Sequence, residues 1–307
     1  MNSVIRYGIA LLLLCLMGFA AEAGLQYKFA EAGNFPGAYY SVPLGVTLGH
    51  IVGYYVSSSA NAAYVQTGTT FIKAAPAGSF TSYLSGVNKY GVAVGGYCSV
   101  GGGCNPEVGE RGYRYDLATG KITTIHFPMK GAATTAYGIN DKGSIVGGYC
   151  PNAVVCPQGA FSPALDGFIE TNGVFTTLNY PGAQATTAAA INNAGAVVGF
   201  YDINNTGPHA FLYQNGTFTN IDYPGSNYTA ATAINNGGVV AGYFSSTTTG
   251  LHGFTYQNGK FTQIDKPKAT GTAVTGINDR NDLVAVWYPT RGEENFKAVP
   301  LGSPEEP

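Results

Sequence analysis

Two glutamates in one segment are the best candidates for acid–base chemistry. Glu107 and Glu110 lie three positions apart within residues 104–111, and Arg111 follows them. A pair of carboxyl groups can serve as acid and base on a glycoside or a uronide, and their separation decides the chemistry. Because the chain carries no nucleophile-elbow serine, no His-Glu-x-x-His and no phosphate-binding loop, a glycosidase or lyase is only an alternative function here.

Two histidines at equivalent positions suggest a metal, but the spacing argues against one. His209 and His252 lie on third strands of successive repeats, which would place them roughly 15 Å apart. A shared ion needs both nitrogens about 2 Å away. Residues 202–207 resemble a calcium loop whose closing Glu is replaced by Tyr213. We therefore expect structural histidines, no metal and no cofactor.

Four cysteines lie in two segments of equal spacing. Cys98 and Cys104 are six positions apart, as are Cys150 and Cys156. Four cysteines allow three pairings, and we predict the local disulfide bonds 98–104 and 150–156, because the other pairings would make two loops cross. The two loops are either surface decorations or a preformed binding rim. A zinc site does not suit an exported chain, which meets oxidants.

The elements that must position these residues come from an internal repeat. A pattern of the type Ile-Asn-Asn-x-Gly-x-Val-Val-Gly occurs in four copies. Two degenerate copies lie at 45–55 and 276–288, which makes six repeats in total. The asparagines of this pattern follow one another in steps of 52, 52, 43 and 43 residues. We call them the marker asparagines: Asn88, Asn140, Asn192, Asn235 and Asn278.

Each repeat contains four short strand patterns, which we call A to D. In the copy near residue 230 they are 229–235, 239–244, 252–257 and 260–265. Asn/Gly turns join A to B and C to D, because Asn and Gly adopt positive φ easily. Repeats of about 40–45 residues with four strands are typical of β-propeller blades.

The strand count predicts how the ring closes. The sixth repeat lacks strand D, and residues 25–30 precede a Phe-Pro-Gly that matches a D–A connection. We therefore predict an all-β, six-bladed β-propeller over residues 24–300, with four antiparallel strands per blade and the last blade closed by the N-terminal strand. The alternative, an open β-solenoid, does not explain the missing strand.

The two faces of such a disc differ in their connections. The A–B and C–D turns form one face, here called the turn face, and we interpret it as structural and without a concavity. The B–C and D–A connections form the opposite face, here called the loop face, and carry both cysteine segments.

Hydroxyl and aromatic residues recur on the loop face. The residue six positions before each marker asparagine is Ser82 or a threonine, and these hydroxyls would either surround the channel mouth or bond the backbone at strand starts. Rings stack on sugar faces while polar groups bond sugar hydroxyls. We predict a ligand between repeats two and three, contacted by Glu107, Glu110, Arg111, His126, Phe127, Tyr180, Thr134 and Thr186.

Composition excludes several classes. Among 307 residues, 15 Lys and Arg against 17 Asp and Glu give a net charge of −2, which excludes a nucleic-acid partner. A hydrophobic content of 45% excludes a disordered chain. Arg6, an apolar run over 9–21 and Ala21-Glu22-Ala23 are typical of a signal peptide over 1–23, too short for a membrane anchor. We expect a secreted, periplasmic or extracellular monomer without a membrane span, ending in a flexible tail at 301–307.

The repeat also resembles a known family. The His209-Ala210-Phe211 segment and the marker segments are similar to the bacterial extracellular HAF-repeat family over roughly 80–290, and more weakly over 27–80. Only the copies at His209 and His252 keep the histidine. The resemblance implies a secreted β-propeller and no activity.

Function is therefore predicted at the level of a class. A binding module for a polysaccharide or another hydroxyl-rich ligand on the loop face fits the low charge and the aromatic residues best. The alternatives are the carbohydrate-active enzyme and a protein-binding or structural envelope protein.

The cysteine pairing can be tested directly. Peptide mass mapping of the non-reduced mature protein is expected to yield the linked pairs 98–104 and 150–156 and no free thiol. Reduction is expected to lower stability by only about 2 kcal/mol, because each ring is short. A peptide linking 98 to 150 would show the local pairing to be wrong.

Overall fold

The computed structural model describes residues 27–99, 110–151, 165–204, 206–246, 250–288 and the backbone of 294–300. All regular secondary structure in these ranges is β-strand, and they contain no helix long and apolar enough to cross a membrane. The predicted signal peptide, the tail at 301–307, Glu107, Cys104 and Cys156 lie outside the described residues.

Twenty-four strands are described. Their bounds are β1 (Tyr27–Glu31), β2 (Tyr40–Val46), β3 (Ile51–Val56), β4 (Asn61–Thr67), β5 (Thr70–Lys73), β6 (Thr81–Val87), β7 (Val92–Cys98), β8 (Arg111–Asp116), β9 (Ile122–Ile125), β10 (Ala133–Ile139), β11 (Ile145–Cys150), β12 (Asp166–Thr171), β13 (Val174–Leu178), β14 (Ala185–Ile191), β15 (Val197–Asp202), β16 (Pro208–Gln214), β17 (Thr217–Asn220), β18 (Tyr228–Ile234), β19 (Val240–Ser246), β20 (Gly250–Gln257), β21 (Lys260–Ile264), β22 (Gly271–Ile277), β23 (Leu283–Tyr288) and β24 (Glu294–Pro300).

Antiparallel pairing follows the repeat. Strands β2–β5, β6–β9, β10–β13, β14–β17 and β18–β21 each pair in chain order, and so do β22, β23 and β24. The N-terminal strand β1 lies antiparallel beside β24, with Tyr27 opposite Pro300 and Glu31 opposite Phe296. The predicted all-β class with antiparallel repeats is confirmed.

The first strands of the repeats gather around one axis. Each of β2, β6, β10, β14, β18 and β22 contacts the next, and β22 contacts β2. The hydroxyl of Thr275 in β22 donates to the carbonyl oxygen of Pro43 in β2 at 2.7 Å. Space there is tight: a Cβ built on Gly138 would lie 2.8 Å from the Cα of Ala190. Crowding at the axis therefore explains the Gly and Ala residues of these strands.

An irregularity in every first strand accounts for the Val-Val-Gly part of the repeat. The pairing register shifts by one residue at the same place in each repeat, at Leu44, Ser85, Tyr137, Ala189, Thr232 and Thr275. This bulge brings a first-strand carbonyl against the second strand. A Cβ on Gly147, for example, would overlap the carbonyl oxygen of Thr135. Glycine occupies this position in the first five repeats, where the bulged strand leaves little room for a side chain, and the sixth repeat has Ala285 there.

The core lies between neighbouring repeats. Val94 of β7 packs in one cluster with Ile139 of β10 and Phe168 of β12. One large aromatic ring on the third strand of each of the first five repeats is fully buried: Tyr64, Tyr113, Phe168, Phe211 and Phe254. Each repeat thus completes its core only against the next, which is how repeat architectures are stabilised.

The close contacts around Gly147 predict a stability loss. Gly147→Ala is expected to lower the free energy of unfolding by about 2–4 kcal/mol, because the added methyl group displaces the backbone of β10. Gly49→Ala is the control, since a Cβ on Gly49 meets no atom within 4 Å. Chemical denaturation of both variants checks this, and equal stability losses would contradict it.

Candidate functional site

A cavity of about 390 Å³ opens at the centre of the turn face. We call it the axial cavity. All six A–B turns line it, through residues 46–50, 87–89, 139–141, 191–193, 234–236 and 277–279. The prediction that the turn face has no concavity is wrong. Each turn is tight, but six turns held apart around an axis enclose a depression that no single repeat contains.

Aliphatic side chains line the inner part of this cavity. Each belongs to the residue directly before the marker position of its repeat, so the set contains one member per repeat: Val46, Val87, Ile139, Ile191, Ile234 and Ile277. Each of the six ends a first strand and all are branched at Cβ, as suits a strand end packed against its neighbours. The cavity therefore has an apolar floor.

The marker asparagines form a polar ring above that floor. Oδ1 of Asn140 accepts the N–H groups of Lys142 at 3.0 Å and Ser144 at 2.9 Å, which fixes the A–B turn. Its Nδ2 donates to the carbonyl oxygen of Asn192 at 3.0 Å. The links from 88 to 140, 192 to 235 and 235 to 278 repeat this geometry. The predicted bonding of the turn backbone is confirmed, and the link to the next repeat is an addition.

The residues after the markers form the rim. The N–H of Lys89 donates to Asp141, that of Asp141 to Asn193, that of Asn193 to Asn236 and that of Asn236 to Asp279, over 2.8–3.1 Å. Each acceptor is the side-chain oxygen of the next repeat. The rim is therefore one continuous chain of hydrogen bonds through five repeats.

Repeat one interrupts the rim. Leu48 occupies its rim position, is 52% exposed and has no side-chain acceptor. The Asn position before it is Thr47, whose N–H donates to the carbonyl oxygen of His50 and whose Oγ1 accepts the N–H of His50, which closes the turn. The rim is thus polar over most of its circumference and apolar at one point.

Charge on the rim is uneven. Lys89 Nζ lies 3.2 Å from Oδ2 of Asp141, and Nδ2 of Asn193 donates to the same oxygen at 2.7 Å. Burial acts to raise the pKa of Asp141, but the hydrogen bonds from Asn193 and Lys89 outweigh it and hold that pKa below its usual value. Asp279 adds a second carboxylate, so the rim has one lysine, already paired, and two acids.

On the loop face, the predicted threonines serve the backbone. Thr134 and Thr186 are 1% and 2% exposed. The Oγ1 of Thr134 accepts the N–H of Phe127 at 3.0 Å, and the Oγ1 of Thr186 accepts the N–H of Tyr180 at 3.0 Å. The hydroxyls of Thr134 and Thr186 therefore bond the backbone at strand starts, the second of the two roles suggested by the sequence, and they fix the D–A connection.

The aromatic rings of the D–A connections stack on rings of the second strands. Phe127 is buried and stacks on Tyr149 at 3.5 Å, and Tyr180 stacks on Tyr201 at 3.6 Å. Phe35–Tyr55 and Tyr223–Phe244 repeat the arrangement. Phe127 therefore lies in the core and not on the open rim where we expected it. His126 and Arg111 are exposed on this face.

Glu110 lies between repeats two and three, close to the axis. Its carboxylate accepts the hydroxyl of Tyr83 in β6, and its carbonyl accepts the N–H of Thr134 in β10 at 2.8 Å. Burial raises the pKa of Glu110, opposed by hydrogen bonds from Tyr83 and Thr135. Burial also raises the pKa of Tyr137, with Glu110 adding to the effect. The separation of Glu110 from Glu107 lies outside the described residues.

Two exposed aromatic residues on the loop face were missed by the sequence analysis. Tyr39 is 70% and Phe80 is 54% exposed, and both directly precede a first strand, in repeats one and two. Their N–H groups donate to the carbonyl oxygens of Val56 and Cys98, the last residues of the second strands. The equivalent residues are Ala132, Gln184, Asn227 and Thr270. The sequence did contain a signal for this pair. An aromatic residue stands one position before strand A in two adjacent repeats and in none of the other four.

The repeated histidines pair with aspartates thirteen residues later. Nδ1 of His209 lies 2.7 Å from Asp222, and Nδ1 of His252 lies 2.9 Å from Asp265. Each pair ties the start of a third strand to the connection that follows the fourth strand. Within the described ranges no group of three His, Cys, Asp or Glu side chains could hold a metal ion.

Cys98 and Cys150 occupy equivalent positions. Each ends a second strand, β7 and β11, and is buried at the edge of the loop face. Because Cys104 and Cys156 lie outside the described residues, the local pairing stays a prediction.

Comparison with known proteins identifies the fold. No family model and no curated protein matches the chain. Among solved structures, it is similar to TolB from Acinetobacter baumannii (TM-score 0.54, 12% identity, 84% of this chain and 65% of that one). It is also similar to AofleA from Arthrobotrys oligospora, with a TM-score of 0.52, 10% identity and 93% of each chain covered. A fucose-specific lectin from Aleuria aurantia has a TM-score of 0.50 and 13% identity, with 91% of this chain and 99% of the lectin covered. The chain thus spans slightly less than two thirds of TolB. At these identities the likeness shows a β-propeller fold alone.

The rim geometry predicts a pH-dependent contribution to stability. The folded-state pKa of Asp141 lies below its ordinary 3.8, so its ionised form stabilises the fold above that value. Asp141→Asn is expected to cost about 1 kcal/mol at neutral pH. The difference from wild type should shrink as the pH falls through the folded-state pKa. Urea denaturation between neutral and acidic pH measures this, and a pH-independent difference would contradict it.

Proposed function

We propose that this chain is a secreted, closed six-bladed β-propeller that acts as a binding module for a polysaccharide or another hydroxyl-rich ligand on its loop face. Three features support it: the cyclic contacts of the first strands, the exposed aromatic pair at the loop face, and the low charge of the chain.

Closure is supported by the contacts of the two chain ends. Strand β1 supplies the fourth strand to β22–β24, and β22 contacts β2 across the start of the chain. Lys266 Nζ, in the connection before β22, lies 3.9 Å from the centre of the Trp287 ring, and Tyr27 and Phe29 pack against the cluster that contains Leu283. A ring closed in this way leaves no unpaired sheet edge at the junction.

The observation that carries the binding proposal is the pair Tyr39 and Phe80. Their rings are 70% and 54% exposed, and the two residues occupy equivalent positions in adjacent repeats. They precede first strands, so they lie at the inner edge of the loop face. Aromatic faces suit the apolar side of a sugar ring.

Polar residues at the equivalent positions complete this edge. Gln184 and Asn227 supply amide groups in repeats four and five, where repeats one and two supply rings. In repeat six, the hydroxyl of Thr270 donates to the carbonyl oxygen of Tyr288 and keeps its acceptor lone pairs. Arg111 and His126 are exposed on the same face. An edge that is aromatic on one side and amide-bearing on the other can both stack on sugar rings and bond their hydroxyls.

The charge balance supports a neutral ligand. A net charge of −2 spread over 307 residues provides no basic surface for a polyanion. One protein of similar fold is a fucose-specific lectin, so fucosylated glycans belong in the first panel of ligands.

The proposal predicts which side chains hold the glycan. Tyr39→Ala and Phe80→Ala are each expected to weaken binding about tenfold, because stacking on an aromatic ring is lost. Tyr90→Ala is the matched control, since Tyr90 is 68% exposed but lies on the turn face. A glycan array followed by titration calorimetry of the best ligand measures the effect.

The result can go against the proposal in two ways. If the double variant Tyr39→Ala/Phe80→Ala keeps wild-type affinity for every glycan, the loop-face site is wrong. If Tyr90→Ala weakens polysaccharide binding as much, the ligand lies on the turn face.

A further inference from the structure

We infer that the axial cavity is a second binding site, independent of the loop face, and that its ligand is a small neutral saccharide or cyclic polyol held on the axis. The inference rests on the cavity's size, its two-layer lining, its charge and its departure from sixfold repetition.

The size suits a small molecule. A volume of about 390 Å³ lies at the lower end of the range of about 300–1,000 Å³ seen for ligand pockets. One or two sugar rings fit it, whereas a polysaccharide chain would have to leave through the mouth. The ligand is therefore a mono- or disaccharide, or a polyol of that size.

The lining matches the two kinds of surface on such a molecule. The floor is aliphatic, with Ile139, Ile191 and Ile234 among its six members, and suits the C–H face of a sugar ring. The rim carries amide and carboxylate groups, including Asn236 and Asp279, which suit hydroxyls at the perimeter of the ring. A wholly apolar ligand would remove the remaining acceptor lone pairs of this rim from water and give them no hydrogen bond in return.

The charge of the rim excludes anionic ligands. Lys89 is the one lysine among the lining residues, and it is already held 3.2 Å from Asp141. Asp279 is bonded through the N–H and the Nδ2 of Asn236, at 2.8 and 2.9 Å. A phosphate or a carboxylate would face two acids, whereas a hydroxyl group can donate to either.

The departure from sixfold repetition marks the place of the ligand. The chain of rim hydrogen bonds ends at Asp279, because the next position is Leu48. Among the rim residues that accept a hydrogen bond, Asp279 is the one whose neighbour in the next repeat, Leu48, has no polar side chain to bond with it. A ligand hydroxyl at this gap would meet the carboxylate of Asp279 on one side and the apolar Leu48 on the other.

The test uses the full mature chain and a panel of probes. Saturation-transfer NMR with common monosaccharides, disaccharides and myo-inositol at millimolar concentration is expected to show binding by at least one neutral sugar or polyol. Inorganic phosphate is expected not to compete. Chemical-shift changes should map to the residues at 277–279 and 234–236.

Variants then place the ligand. Asp279→Ala and Asn236→Ala are expected to raise the dissociation constant at least about tenfold. Asp279→Asn keeps the shape of the side chain and serves if the alanine variant fails to fold; it is expected to show a smaller loss. Lys142→Ala is the matched control, since Lys142 is exposed on the same face but outside the lining.

The two sites are separable in this design. Tyr39→Ala and Phe80→Ala should leave the axial affinity unchanged, and Asp279→Ala should leave polysaccharide binding on the loop face unchanged. The inference is overturned if no probe binds, if phosphate displaces the bound sugar, or if the rim variants bind as tightly as wild type.

Discussion

The close approach of the first strands around one axis is the constraint on which the rest of the structure depends. Where β10 and β14 meet, a Cβ on Gly138 would lie 2.8 Å from the backbone of Ala190, so only small residues are tolerated. The bulge at Tyr137 sits in the same stretch, and it places a carbonyl where Gly147 of the second strand has no side chain. Crowding at the axis thus dictates residue choice in the first strand directly and in the second strand through the bulge.

Hydrogen bonding from one repeat to the next holds this crowded centre together. Each marker asparagine closes its own turn through Oδ1, and the first four reach the following repeat through Nδ2, as Asn140 does toward Asn192. The Nδ2 of Asn278 donates instead to Asp282 of its own repeat. Buried amides of this kind are favourable only when they are bonded. The same links hold the turns at a fixed distance from the axis, and the axial cavity is the space that remains between them.

The two faces use repeated residues differently. On the loop face, Thr134 and Phe127 fix the D–A connection through a hydroxyl–backbone bond and a ring stacked on Tyr149, so the recurring residues are structural. Residues that break the repeat are the ones left exposed, notably Tyr39 and Phe80. On the turn face, Leu48 likewise breaks the rim. In both places the departures from the repeat, and not the repeat itself, distinguish the proposed binding surfaces from the scaffold.

The sequence by itself determined the strands, the turns and the repeat, because alternation and Asn-Gly turns act between residues that are close in the chain. It also predicted that Asn140 and its equivalents bond the turn backbone, a contact within four residues. Only the tertiary structure decided that Phe127 is buried, that Glu110 meets Tyr83, and that six flat turns enclose a cavity. Those outcomes depend on residues from different repeats meeting across the axis, or between two sheets, and no local pattern records such distances. The sequence therefore specified each repeat, while the empty space between the repeats followed from how they pack.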